Sequence, residues 1–124
     1  MFNLLLWASL TPPTSVSIVP SPAPLDQVII AESWPTLDET DIRLRMLHLP
    51  DWTTDGTSLY HTRTFDGFVE AIAFIDSLVE PAEQLGHHPD ITVRYNQVSL
   101  ALTTHDAEGL TDLDFQLART ISQL

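Results

Sequence analysis

Three histidines, His87, His88 and His105, lie within residues 83–114 of this 124-residue chain. Imidazole is the one side chain whose unperturbed pKa lies near neutrality, so it can donate and accept protons at physiological pH. Glu83 precedes His87 by four residues, a spacing that places both on one face of a helix, where the carboxylate can orient an imidazole. Because the histidines lie at the ends of predicted elements, we expect them to meet at one pocket as an acid–base set.

The sequence alone leaves other uses of these histidines open. His87 and His88 could be solvated rings at a polar helix end, and His105 could be a turn residue bonded to its neighbour Asp106. A metal site is a third use, but adjacent histidines rarely chelate one ion, and the chain has no H-E-x-x-H spacing. We therefore predict no functional metal ion.

The composition excludes several classes of function. Acidic residues number 17 against five basic ones, for a net charge of −12, and this charge repels nucleic-acid phosphates and anionic lipid. The chain has neither lysine nor cysteine, so a Schiff base, a P-loop lysine, a thiolate and a disulfide are all excluded. No glycine-rich phosphate loop, dinucleotide fingerprint or G-x-S-x-G is present. Nucleophilic serine chemistry and redox chemistry with a cofactor therefore have no support in the sequence.

The first 35 residues differ in character from the rest of the chain. Six of the nine prolines fall in them, so we predict an irregular or disordered extension over 1–35 and a folded domain over 36–124. The apolar run Met1–Leu10 lacks the basic residues of a signal peptide, since the first arginine is Arg43, and it is too short to span a bilayer. We therefore expect a cytoplasmic protein without a signal peptide or membrane segment.

From about Leu37 the pattern indicates an α+β domain. Asp38 is a candidate cap for a helix that stops near Pro50, and a short strand begins at Trp52. The pair Asp55-Gly56 is a hairpin signal, and residues 58–65 alternate in the manner of a strand.

A longer helix is predicted to follow, with Asp66 as its cap and Gly86 as the left-handed residue at its end. Pro81 falls inside this helix, where it would delete a hydrogen bond and kink the chain. The predicted buried stripe comprises Phe68, Ala71, Ile72, Ile75, Leu78, Val79 and Ala82.

The remaining elements are two strands over 91–95 and 97–103 and a last helix capped by Thr111. The order is therefore α-β-β-α-β-β-α. It predicts a four-stranded antiparallel sheet with three helices on one face.

The spacing E-x3-H-H-P-x5-Y-x9-H-x8-D, which runs from Glu83 to Asp114, resembles the signature of the pterin-4a-carbinolamine dehydratases. Residues 65–75 and 98–121 are also similar to that family, so that the resemblance covers about 37–121. It implies the same α+β fold, assembly into homodimers or homotetramers with joined sheets, and a hydro-lyase activity. The reaction implied is loss of water from 4a-hydroxytetrahydropterin, which yields quinonoid dihydropterin for recycling after aromatic amino-acid hydroxylation.

The resemblance also implies roles for particular residues. His87, His88 and His105 would be the acid–base set, and Glu83 would support them. The residues that would contact the pterin are Gly86, Pro89, Thr103, Thr104 and Asp106. The supporting residues are Asp114, Tyr95 and Trp52, for which capping by Asp114 and packing by the two aromatic rings are the structural alternatives.

Some similar proteins are binding partners and not enzymes. They include a dimerisation cofactor of a transcription factor and a Rubisco assembly factor. Assembly factors of this type tend to lose part of the histidine signature, whereas this chain keeps all of it. The resemblance thus favours an enzyme that acts on a small pterin, with an aromatic amino-acid hydroxylase as a possible partner protein. A non-enzymatic role, with Rubisco or a transcription factor as partner, is the alternative.

Overall fold

The first helix begins where Asp38 caps it. In a computed structural model, which describes residues 33–124, helix α1 spans Glu39–Met46. The Asp38 carboxylate accepts a 2.8 Å hydrogen bond from the amide of Asp41, which confirms the predicted cap. The extension predicted for 1–35 lies almost wholly outside the described residues. Residues 33–35 have no regular secondary structure.

Four strands form one antiparallel sheet. They are β1 (Thr53–Thr54), β2 (Leu59–Thr64), β3 (Asp90–Arg94) and β4 (Gln97–Leu102). Their spatial order is β1-β2-β4-β3, so β2 and β4 are the inner strands. Strands β3 and β4 are joined by the two-residue turn Tyr95-Asn96, in which Tyr95 adopts a left-handed φ of 52°. The strands lie within one or two residues of their predicted positions.

The long predicted helix is interrupted at Leu78. Helix α2 spans Phe68–Ser77, and α3 spans Val79–Leu85. The interruption explains how Pro81 is accommodated, because it is the third residue of α3. The first four amide positions of a helix have no acceptor within it, so a proline there removes no helical hydrogen bond.

Two details predicted for this helix are wrong. Gly67 and not Asp66 is the N-cap residue of α2, and no side-chain hydrogen bond caps this end. The buried residues are Ala71, Phe74, Leu78 and Ala82, whereas Phe68, Ile72 and Val79 are exposed. Apolar residues surround much of α2, so periodicity alone did not determine which of its faces meets the sheet.

The helices cover one face of the sheet. Strands β2 and β4 direct Leu59, Leu100 and Leu102 into the core, while Tyr60 lies on the opposite, exposed face. A short 3-10 helix, His105–Ala107, follows β4 and leads to helix α4 (Asp112–Ser122), which buries Phe115, Leu117 and Ile121. If α2 and α3 are counted as the predicted long helix, the order α-β-β-α-β-β-α is confirmed.

The turn between β1 and β2 is organised by the carboxylate of Asp55. Its Oδ1 accepts hydrogen bonds from the Thr57 amide at 2.9 Å and the Ser58 amide at 2.8 Å. Its Oδ2 accepts a 2.8 Å hydrogen bond from the hydroxyl of Tyr60. These donors, the Thr57 amide foremost, hold the pKa of Asp55 well below its ordinary value.

We predict that Asp55→Ala destabilises the fold in a pH-dependent manner. The pKa of Asp55 is lower in the folded than in the unfolded chain, so its stabilisation is present above about pH 4 and is lost as the pH falls below that value. Melting temperatures of the native chain and the variant should differ at pH 7, and the difference should shrink steadily as the pH is lowered from about 4 towards about 2. Asp76→Ala, at another exposed carboxylate, is the control. A gap that stays constant with pH would contradict the prediction.

Candidate active site

A cleft of about 670 Å³ lies where the end of α3 meets the end of β4. Among the described residues, its lining comprises Ser33, Trp34, Leu85, Gly86, His87, His88, Thr103, Thr104, His105, Asp106, Ala107 and Leu113. All three histidines singled out by the sequence therefore reach one cavity. Its size falls within the range of about 300–1,000 Å³ that is usual for small-molecule sites.

The end of α3 sets the positions of His87 and His88. Gly86 adopts the left-handed conformation, with φ of 59°, as predicted for a helix end. The amide of Gly86 bonds to the carbonyl of Glu83 at 3.2 Å, and the amide of His87 bonds to that of Ala82 at 3.0 Å. This pair of bonds is a Schellman motif, which turns the chain sharply and directs the two histidines away from the helix axis.

His87 is part of a buried hydrogen-bond network centred on Asp114. Its Nε2 lies 2.6 Å from Oδ1 of Asp114, which is fully buried. The other carboxylate oxygen of Asp114 accepts hydrogen bonds from the Thr104 hydroxyl at 2.8 Å and the Thr111 amide at 2.9 Å. The predicted capping box of α4 is confirmed, and Asp114 also fixes the imidazole of His87. Nδ1 is then the ring nitrogen of His87 that can meet a ligand.

His88 and His105 differ from His87 in exposure. His88 Nε2 lies 2.6 Å from Oε1 of Glu83, and both side chains are more than half exposed. Glu83 was expected to serve His87 as the nearer residue on a helical face, but it pairs with His88 because the Schellman turn ends the helix before His87. His105 begins the 3-10 helix and is exposed at the rim of the cleft.

The other sequence-predicted residues divide into two groups. Those that line the cleft with the histidines are Gly86, Thr103, Thr104 and Asp106. Pro89, Tyr95 and Trp52 do not line it. Tyr95 is 70% exposed at the β3–β4 turn, so it is not a core residue of the part of the chain that the structure describes. Trp52 is buried, stacks on His61 and donates a 2.9 Å hydrogen bond from its indole nitrogen to the hydroxyl of Ser122.

Sequence reasoning missed five residues of the lining. They are Ser33, Trp34, Leu85, Ala107 and Leu113. Leu85 and Leu113 fall within predicted helices, Leu85 next to Gly86 and Leu113 next to Asp114. Ser33 and Trp34 fall in the segment predicted to be irregular, and no periodic pattern linked them to the site.

Within residues 33–124, no group of three or more histidine, aspartate and glutamate side chains is close enough to hold a metal ion. His87 is engaged by one carboxylate and His88 by another, so the two rings serve different partners. None of the helices in the described part of the chain is long and apolar enough to cross a membrane.

Comparison with known proteins identifies the family. The family model described as pterin 4 alpha carbinolamine dehydratase matches residues 35–124. The chain belongs to this family. A protein of Nostoc sp. strain PCC 7120 with the provisional name pterin-4-alpha-carbinolamine dehydratase is 53% identical over 88 residues, which cover 71% of this chain and 95% of the Nostoc protein. A protein of Thermomicrobium roseum with the same provisional name is 46% identical over 88 residues, covering 71% and 95% of the two chains.

The fold of this pterin dehydratase family member also matches a solved structure. The crystal structure of a transcriptional coactivator/pterin dehydratase from Brucella melitensis superposes with a TM-score of 0.67 and 31% sequence identity. The match covers 71% of this chain and 96% of the Brucella chain. It agrees with the sheet and helices described above.

The Asp114 network predicts a large stability difference between two aspartates of one helix turn. Asp114→Ala removes the partner of three buried donors and should lower the free energy of unfolding by about 3 kcal/mol. Asp112→Ala removes a half-exposed carboxylate that pairs with Arg45, and should cost at most about 1 kcal/mol. Urea denaturation of both variants measures the difference. Equal losses would show that charge near the start of α4, and not the buried network, is what matters.

Proposed function

We propose that this chain is a 4a-hydroxytetrahydropterin dehydratase that works by histidine acid–base catalysis without a cofactor. The observation that carries the proposal is the convergence of His87, His88 and His105 on one cleft large enough for a bicyclic ligand. Membership of the family supports the substrate class.

The reaction needs two proton movements. The C4a–O bond breaks, the departing hydroxyl takes up a proton to leave as water, and a ring nitrogen next to C4a loses its proton as the new C=N double bond forms. Groups that titrate near neutral pH can perform both transfers, each for about 10²- to 10⁴-fold in rate. The imidazoles supply these groups, and neither a nucleophile nor a redox centre is needed.

The three histidines are suited to different parts of this task. His87 is buried and held by Asp114, so it offers a ring nitrogen at a fixed position to the substrate. His88 and His105 are exposed and can exchange protons with solvent between turnovers. We assign proton delivery and removal to these two rings, with Glu83 orienting His88.

The direct test is a dehydratase assay on synthetic 4a-hydroxytetrahydropterin. His88→Ala and His105→Ala should each lower kcat by about 10²- to 10⁴-fold, because each removes one proton-transfer group. The matched control is His48→Ala, since His48 is exposed and lies outside the cleft. The control should retain native activity.

Two outcomes would contradict the proposal. Native activity in both His88→Ala and His105→Ala would place the chemistry elsewhere. A native chain that only matches the uncatalysed rate would remove the enzymatic function altogether and favour the alternative below.

The biological setting belongs to the same proposal. The product would pass to a reductase that regenerates the tetrahydropterin used by an aromatic amino-acid hydroxylase. That recycling, and a cytoplasmic location for it, are inferred from the family resemblance.

We also propose that the chain assembles with itself through β3. Within residues 33–124, β3 pairs only with β4, so its other edge has no strand partner there, and both Ile91 and Val93 are more than one third exposed. An edge strand with apolar side chains is a surface on which a second strand can pair. The other edge strand, β1, has only two residues.

The test of assembly is Val93→Lys, which places two like charges close together if β3 pairs with its copy. Sedimentation should show dimers or tetramers for the native chain and a shift towards monomers for the variant. Thr62→Lys on the exposed face of β2 is the control and should leave assembly unchanged. A native chain that sediments as a monomer would contradict the proposal.

A protein-binding role is the second candidate function. Phe68, Val69, Ile72 and Val79 are exposed around α2 and the start of α3, and an apolar surface of this kind favours a protein partner. The name of the Brucella protein includes transcriptional coactivator. Absence of dehydratase activity in the native chain would make such a role the leading one, with a transcription factor or Rubisco as partner class.

A further inference from the structure

The segment before α1 is fixed to the loop that carries part of the site. The amide of Leu37 donates a 2.9 Å hydrogen bond to the carbonyl of Leu110, and the Leu37 side chain packs on the core. The methyl group of Thr36 lies against Gly109, where an added Cβ would be 3.4 Å from it. Trp34 therefore lies close to an anchored point, and its place beside the cleft is determined by the fold.

Trp34 adds a large aromatic face to the cleft. It is half-buried and is the only tryptophan, tyrosine or phenylalanine among the described residues that line the cavity. Leu85, Ala107 and Leu113 supply small apolar patches, and the histidines supply polar rings. An indole face binds flat heterocycles by stacking, and it does so whatever hydrogen bonds their edges form.

We propose that Trp34 is a substrate-positioning residue, whose indole packs on the bicyclic ring of the pterin and holds it against the histidines. The identity of the ligand rests on the function proposed above, whereas the role of Trp34 is an additional claim. Trp34 has no titratable group, so it takes no part in proton transfer. It contacts the substrate and the transition state alike, and its removal should therefore raise KM and leave kcat nearly unchanged.

Three substitutions separate stacking from simple packing. Trp34→Ala removes the side chain, Trp34→Leu keeps an apolar group without a ring, and Trp34→Phe keeps an aromatic face. We expect KM to rise roughly three- to tenfold for the alanine and leucine variants and to stay within about twofold for phenylalanine. Thr40→Ala on exposed α1 is the control for changes near the segment.

Binding is measured separately by calorimetry with a stable 7,8-dihydropterin, which needs no turnover. The dissociation constant should rise in the same order as KM. Melting temperatures close to native would show that the variants fold, because Trp34 lies at the edge of the domain and outside the core cluster.

Four other results would each contradict the inference, and each has a different meaning. Unchanged KM and binding in Trp34→Ala would remove the role of Trp34 while leaving the dehydratase intact. If Trp34→Leu had native KM while Trp34→Ala had a raised KM, the role of Trp34 would be simple packing and not stacking. A fall in kcat together with a lowered melting temperature would show a structural role. A native chain that neither turns over the substrate nor binds the dihydropterin would overturn both the inference and the proposed function.

Discussion

The site depends on one buried carboxylate. Asp114 has no exposed surface, and a buried charge is costly unless hydrogen bonds compensate for its lost hydration. Its donors come from three places: His87 after α3, Thr104 after β4, and the Thr111 amide before α4. Each donor relieves the cost only if its own element is correctly placed. The network therefore fixes the relative positions of a helix end, a strand end and a helix start, and the cleft lies at that junction.

The interruption of the helix at Leu78 helps to form the same junction. A straight helix from Phe68 to Leu85 would have carried Pro81 in its interior, where proline costs about 3 kcal/mol or more. By ending α2 at Ser77 and starting α3 at Val79, the chain places Pro81 in a first turn. α3 can then end at Gly86 with both bonds of a Schellman motif. The backbone turn at Gly86 therefore contributes to where His87 and His88 leave the helix.

The sequence predicted those features that depend on short-range rules. Caps at Asp38 and Thr111, the left-handed Gly86 and the strand alternation all follow from neighbouring residues, and all are present. One local prediction is wrong, because Gly67 and not Asp66 is the N-cap of α2. The error in the buried stripe of α2 concerns a choice made by tertiary contacts. Several faces of α2 are apolar, so only contact with the sheet selects Phe74 over Ile72 for burial.

The same distinction between local features and tertiary contacts applies to the candidate site. Signature spacing was enough to bring His87, His88 and His105 together as candidates, because each lies at the end of an element. It did not show that Asp114 would bind His87 while Glu83 binds His88, since that pairing depends on the turn at Gly86. The sequence did not predict Trp34 as a site residue, for a different reason. Its place at the cleft depends on a hydrogen bond between Leu37 and Leu110, residues that no local pattern connects.

The difference in exposure between the histidines has a physical explanation. A ring that must hold a ligand in one orientation benefits from burial, because packing and a buried carboxylate leave it a single position. A ring that must regain or lose a proton after each turnover benefits from contact with water. His87 meets the first condition, with 9% of its surface exposed, and His88 meets the second, with 61% of its side chain exposed. One cleft that combines both kinds of ring suits the proposed dehydration, which needs a firmly held substrate and proton exchange with solvent.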